Sequence, residues 1–189
     1  ESLEDAGNPA FGQVATVDER GLPQLRTVHL RLIPERGCFG FACHIRSPKW
    51  RELAAKPALS GCWVDYKRLT QFRWEGRAQL LGPEAEDAKA RLLLDRMWSL
   101  IRPDVRKAYW LDHWQPHLKA GSQPGFDVAE RCPALGAVLC LPERWDIFEM
   151  DLQDYTSGRR TLYSLKKGLW IPRKISLLHG APRSSGGRH

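Results

Sequence analysis

The stretch from Arg68 to Leu80, RLTQFRWEGRAQL, alternates almost without interruption. Gln71, Arg73, Glu75, Arg77 and Gln79 occupy one parity, and Phe72, Trp74, Gly76, Ala78 and Leu80 the other. A period of two marks a strand with one face buried and the other left for water or a ligand. The polar face here carries two arginines, two amides and a carboxylate, so the rest of the chain must show what that face meets.

Further strand signals surround it. FGQVATVDERGLPQLRTVHLRLI (11–33) reads as strand, turn, strand, with DERG as the turn. GCFGFACHI (37–45) is a third strand. SPKWRELAAK (47–56) is a short helix with Ser47 at the N-cap, Pro48 at the first helical position and Pro57 as the stop. With Arg46 before it and Lys49 in its first turn, that helix start suits an anion, because its amide donors and positive dipole end point outward. ALSGCWVDY and TQFRWEGRAQLL form a second hairpin around KRL. PEAEDAKARLLLDRMWSLI (83–101) is the strongest helix signal and is expected to pack on the sheet. Residues 102–125 read as irregular or partly helical. LGAVLCLPERWDIFEMDL, RRTLYSL and GLWIPRKISLL supply three closing strands.

Seven or eight short, hairpin-connected strands with two inserted helices predict a mainly β fold, an antiparallel barrel rather than a parallel α/β sheet. Barrels of this size are filled by side chains. A ligand is therefore expected outside, in a cleft between chains or beneath the helix. The 189 residues fit one domain, 1–178, followed by a Gly-, Ser-, Pro- and Arg-containing tail, 179–189, expected to be disordered.

The 42% hydrophobic and 27% charged composition is that of a soluble globular chain, and no apolar run approaches the roughly 18 residues of a membrane span. No export signal is visible at the start. Five cysteines without a CxxC pair, three of them in apolar strand runs, read as buried thiols of a reducing cytoplasm. The net charge of +7 favours an anionic partner, a phosphate-bearing small molecule or a nucleic acid backbone. The eight Trp residues mostly hold apolar positions, so core packing explains them better than base stacking. His113 and His117 have helical i, i+4 spacing, but Pro116 lies between them and no third ligand is evident, so no metal site is expected.

Taken in order, RTVHLR (26–31), FACHIRSPKWREL (41–53), QFRWEG (71–76) and RRTLYSLKKGLWIPRKISLL (159–178) resemble the motifs of the pyridoxamine 5'-phosphate oxidase family of FMN-binding split barrels. CWVDYKRLTQFRWEG looks closer to the divergent flavoproteins described from cyanobacteria and plants than to the vitamin enzyme of the family. The resemblance implies a split β-barrel, FMN as cofactor, a homodimer with FMN at the subunit interface, and redox chemistry on a small molecule, with no nucleic acid or membrane partner.

Residue by residue, it implies that Arg26, Thr27, Val28 and Arg31 belong to a strand that holds FMN. Ala42 and Cys43 lie beside the cofactor, and Arg46, Ser47 and Lys49 stand at its phosphate. Gln71 faces the isoalloxazine, and Arg160 lies near the ring or the phosphate. Arg26 and Arg31 fall on opposite parities, so facing one ligand requires a bulge or a cofactor that wraps the strand end. Glu75, between two arginines on its face, is expected to orient them. The family's Arg in Ser-Arg-Lys is replaced by Pro48, and its cofactor-flanking Trp by Phe148. Its substrate-binding Arg-x-His aligns with Thr156–Gly158, which carries neither charge nor imidazole, so the default substrate, pyridoxamine or pyridoxine 5'-phosphate, lacks its matching residues. A related branch binds haem, which makes His44 the alternative ligand to follow.

Overall fold

The computed structural model describes residues 10–114 and 125–178. In chain order these form β1 (Phe11–Val17), β2 (Pro23–His29), β3 (Arg31–Ile33), β4 (Cys38–His44), α1 (Pro48–Ala55), β5 (Ala58–Asp65), β6 (Thr70–Leu81), α2 (Ala88–Ser99), α3 (Pro103–Trp114), β7 (Leu135–Glu149), β8 (Arg159–Lys166) and β9 (Leu169–Lys174). The N-terminal nine residues, His117 and the expected tail 179–189 lie outside the described residues.

Every strand pair is antiparallel, in the order β2-β1-β5-β6-β7-β4-β3, with β8 added to β7 and β9 to β8. β7 is long enough to fork: its first half pairs with β4, its second half with β8, and β6 runs beside both.

The two ends of the seven-strand order, β2 and β3, are consecutive in the chain with only Leu30 between them. The sheet must therefore curl until its ends meet, joined there by covalent chain rather than a hydrogen-bond ladder. That is a split barrel. Leu30 is the corner: its N–H bonds Ala10 O, and its side chain is buried in the core. The run expected as one strand to residue 33 therefore breaks in two. Arg26 stays in the β2 ladder, whereas Arg31 pairs with Gly40 of β4.

Val14, Val28, Phe39, Phe41, Trp63, Trp74, Val138 and Cys140 fill the barrel. Phe72, Trp74 and Gly76 of the opening stretch point inward, and Gln71, Arg73 and Glu75 outward, as the alternation requires. Two glycines make the packing fit. A Cβ on Gly61 would lie 2.1 Å from the Trp74 ring, and one on Gly76 would lie 2.2 Å from Leu141 O. Opposite Gly76, the β6–β7 register slips by one residue at Glu143, and Pro142, which has no N–H to donate, sits beside that bulge.

α2 lies across β4 and β7, with Leu93, Leu94 and Met97 packed on Ala137 and Leu139. It begins at Ala88, five residues later than the expected start at Pro83, because the Asp87 carboxylate accepts the Lys89 and Ala90 N–H groups and so caps it. The stretch expected to be irregular or partly helical contains α3, held by Trp110 packed with Trp98, Ile101 and Leu135. All five cysteines are free thiols, four buried and Cys62 half-buried. No described helix is long and apolar enough to cross a membrane.

Candidate functional site

At the end of β4 the chain turns sharply into α1. His44 O accepts the Ser47 N–H at 2.9 Å, and the helix starts at Pro48. Ser47 holds the N-cap position in extended conformation, yet its hydroxyl does not cap the helix. It turns back to Cys43 Sγ, 3.2 Å away. Lys49 follows in the first turn, half-buried, and makes no ion pair or hydrogen bond among the described residues.

Arg26 reaches the same end of the barrel from β2. Its guanidinium donates to Glu52 Oε2 of α1 at 2.9 Å and to the Thr16 hydroxyl, which itself donates to Glu52. Arg26 and Lys49 both lie close enough to Cys43 to draw its thiol pKa down, but burial outweighs them and holds it above the ordinary thiol range. Cys43 is thus a neutral thiol. Arg26, Cys43, Ser47 and Lys49 come together, with two cations against one carboxylate; of the first N–H groups of α1 only that of Lys49 has no partner among the described residues, since Pro48 has none and Trp50 and Arg51 donate theirs to Ser47 O. This donor set fits a phosphate: Lys49 has no counterion among the described residues, and Arg26 has donors beyond those given to Glu52 and Thr16.

The neighbouring expected residues divide. Val28 is buried inside the barrel and Thr27 faces outward opposite Gln13. Ala42 packs toward α2 and α3. Two arginines are directed elsewhere. Arg46 donates to Asp112 O of α3 at 2.6 Å, and Arg31 donates to Leu100 O at the end of α2 at 2.7 Å.

Gln71 and Arg160 belong to a second group. Gln71 of β6, Phe148 of β7 and Arg160 of β8 are directly paired across the strands and share one face. Arg160 makes a two-pronged bond to Asp146, at 2.8 and 2.7 Å, which Arg73 approaches at 3.5 Å. The hydrogen bond from Arg160 is the main reason that Asp146 sits below the usual carboxylate range. The Gln71 amide has no partner among the described residues. Glu75 does not orient Arg73 or Arg77. It pairs with Arg144 across the strand at 3.5 Å, because cross-strand neighbours lie closer than residues two apart on one strand. Arg77 turns to Glu143 instead.

The register sets the two groups on opposite faces of the sheet. Arg26 shares the inner face with Val14, and Gln71 shares the outer face with Arg73. On the side expected to meet substrate, the Thr156 and Ser157 hydroxyls both donate to Asp154 at 2.6 Å, and Arg102 is forked onto Asp104.

Neither ring nitrogen of His44 faces open space. Nδ1 accepts the Arg46 N–H at 3.1 Å, so the neutral ring carries its proton on Nε2, which lies 3.0 Å from Asp112 Oδ2, although not aligned for a hydrogen bond. This arrangement does not suit an axial ligand of haem. Among the described residues no group of three or more His, Cys, Asp or Glu is placed to hold a metal.

Sequence reasoning missed the acidic and hydroxyl partners Thr16, Glu52, Asp112 and Asp146. Only Glu52 left a trace, one turn along the helix that begins beside Lys49.

Comparison with known proteins adds the following. The family described as "Pyridoxamine 5'-phosphate oxidase, FMN-binding domain" matches residues 3–82. The pyridoxine/pyridoxamine 5'-phosphate oxidase of Pseudomonas fluorescens Pf-5 is 34% identical over 171 residues, covering 86% of this chain and 76% of that protein. Its counterpart from Azotobacter vinelandii is 29% identical over 176 residues, covering 89% and 78%. Among solved structures, a pyridoxamine 5'-phosphate oxidase-related FMN-binding protein of Nostoc punctiforme superposes with a TM-score of 0.71 at 21% identity, covering 88% of both chains. PhzG from Burkholderia lata, solved with tetrahydrophenazine-1-carboxylic acid, gives 0.64 at 18% identity, covering 88% of this chain and 82% of PhzG. These two share the split-barrel fold.

Proposed function

This chain belongs to the FMN-binding pyridoxamine 5'-phosphate oxidase family, and from that premise we propose that it is an FMN-dependent oxidoreductase acting on a small molecule. Bound FMN supplies the electron or hydride transfer. The protein's part is to bind and orient it. Arg26, Ser47 and the ammonium and backbone N–H of Lys49 hold the phosphate, and the outer-face row of Gln71, Phe148 and Arg160 faces the ring system. Because these groups lie on opposite faces of one sheet, a second copy of the chain completes each site, which makes the working unit a homodimer. Gln71 contributes an amide that both donates and accepts, so it suits the polar edge of a flavin.

The observation that carries this reading is Lys49. A half-buried lysine with no ion-pair partner among the described residues, beside Ser47 and Arg26, is a place prepared for an anion.

The substrate differs from that of the Pseudomonas enzyme. Where a phosphorylated pyridine would need charged or imidazole donors, Thr156 and Ser157 have given their hydroxyls to Asp154, and Arg102 is neutralised by Asp104. We therefore infer an unphosphorylated substrate. The free thiols fit a reducing cytoplasm.

The test is the visible spectrum of the purified protein and its titration with FMN, followed by turnover assays with pyridoxine 5'-phosphate and with tetrahydrophenazine-1-carboxylic acid, the unphosphorylated ring acid bound by PhzG. Saturable FMN binding with a dimeric mass supports the reading. No spectral change on titration refutes it, and efficient oxidation of pyridoxine 5'-phosphate refutes the substrate inference alone.

A further inference from the structure

The turn that presents Ser47 and Lys49 is held from outside by α3. Ile45 N–H bonds Ala134 O at 3.0 Å, which fixes one corner residue of the turn. The other, Arg46, is fixed three times. Its N–H donates to His44 Nδ1 at 3.1 Å, its guanidinium donates to Asp112 O at 2.6 Å, and the same guanidinium stands 3.8 Å from the Asp112 carboxylate. That carboxylate also meets His44 Nε2 at 3.0 Å. One acidic side chain on α3 thus touches both ends of a local loop: a ring whose far nitrogen holds the Arg46 amide, and the Arg46 side chain itself. The Tyr109 ring, one turn earlier on α3, packs against His44 with ring centres 5.7 Å apart.

Neither His44 nor Asp112 belongs to the phosphate cradle. His44 follows Cys43 on β4, and the turn it closes sets where Ser47 and the start of α1 stand. Among the described residues Asp112, Arg46, His113 and Lys49 act on the ring's charge and the titratable Tyr109 ring packs on it, while its burial favours the neutral form that the Nδ1 bond requires.

We propose that Asp112 is a positioning residue for the cofactor phosphate: acting through His44 and Arg46, it clamps the β4–α1 turn so that the Ser47 hydroxyl and the ammonium and backbone N–H of Lys49 converge on one point. The proposal rests on the FMN reading above. It adds that the grip on the phosphate depends on a helix more than sixty residues away along the chain.

The experiment compares FMN with riboflavin, which shares the ring system and lacks the phosphate, by quenching of flavin fluorescence in unsubstituted protein, Asp112→Ala and His44→Asn. An Asn side chain at 44 can still accept the Arg46 amide as in an Asx-turn, but it does not reach Asp112 as the imidazole does. Both variants are therefore expected to fold, as their melting temperatures will report. Each should weaken FMN binding about five- to tenfold and leave riboflavin binding unchanged. The double variant should lose no more than either single one, because both break the same link. Equal loss of FMN and riboflavin affinity, no loss of either, or additive losses would each overturn the clamp while leaving the cofactor reading intact. If the unsubstituted protein fails to bind FMN, the cofactor reading falls, and the clamp falls with it.

Discussion

Replacement of Lys49 by methionine separates a residue placed for a ligand from one placed for stability. The two side chains have similar length and flexibility, so the half-buried stem keeps its packing and only the charge is removed. Lys49 has no partner among the described residues, so removing its charge leaves no group stranded in the ligand-free protein. The change should alter stability by less than about 0.5 kcal/mol, or a melting shift of about 2 °C at most for a chain of this size. In the FMN complex the same change removes a charge-assisted hydrogen bond to phosphate, about 1.5–3 kcal/mol, which is a rise in Kd of roughly 10- to 150-fold. Fluorescence titration and thermal melting of one preparation give both numbers. Riboflavin should bind both proteins alike. A fall in melting temperature of more than about 5 °C, with FMN and riboflavin affinities moving together, would show that Lys49 is a structural residue and would refute the reasoning.

Three further outcomes are expected. Gly61→Ala should cost about 1–3 kcal/mol of overpacking, because the new methyl meets a Trp74 ring fenced in by Phe39 and Trp145; urea unfolding should show that loss, and Gly125→Ala, in open space, should not. Asp146→Asn should destabilise the protein at neutral pH, since its carboxylate is ionised and engaged by Arg160; a depressed carboxylate pKa stabilises above the ordinary carboxylate range and is lost as pH falls through the folded value, so the melting difference between the two proteins should shrink below about pH 4. Half-exposed Cys62 should react first with a maleimide, with Cys43 and Cys140, held above the ordinary thiol range by burial, labelled only as the protein unfolds; prompt labelling of Cys43, read by mass spectrometry, would contradict its burial.

Much of the barrel was legible because its signals are local. The alternation of residues 68–80 requires only that successive side chains of a strand point to opposite sides, and the structure keeps that parity through a bulge. Ser47, Pro48 and Pro57 bracket α1 by backbone chemistry that acts within a few residues. The same logic left residues 102–114 between irregular and helical, because the helix there is held by Trp110 against distant apolar neighbours. It also ran one strand through Leu30, because nothing local marks the corner at which a sheet closes on itself.

The sequence by itself determined most of the elements and their buried faces, since these follow from periodicity and from residue types at fixed spacing, and the family showed in the resemblance of four ordered motifs. Only the tertiary structure decided which charges are already engaged. Arg26 is taken by Glu52, Arg46 by Asp112, Arg160 by Asp146 and Arg31 by Leu100 O, while Lys49 is left without a partner among the described residues. The physical reason is range. A hydrogen-bonded ion pair needs its partners within about 3 Å, and partners tens of residues apart in the chain reach that distance only when register, twist and helix placement have brought their strands and helices together.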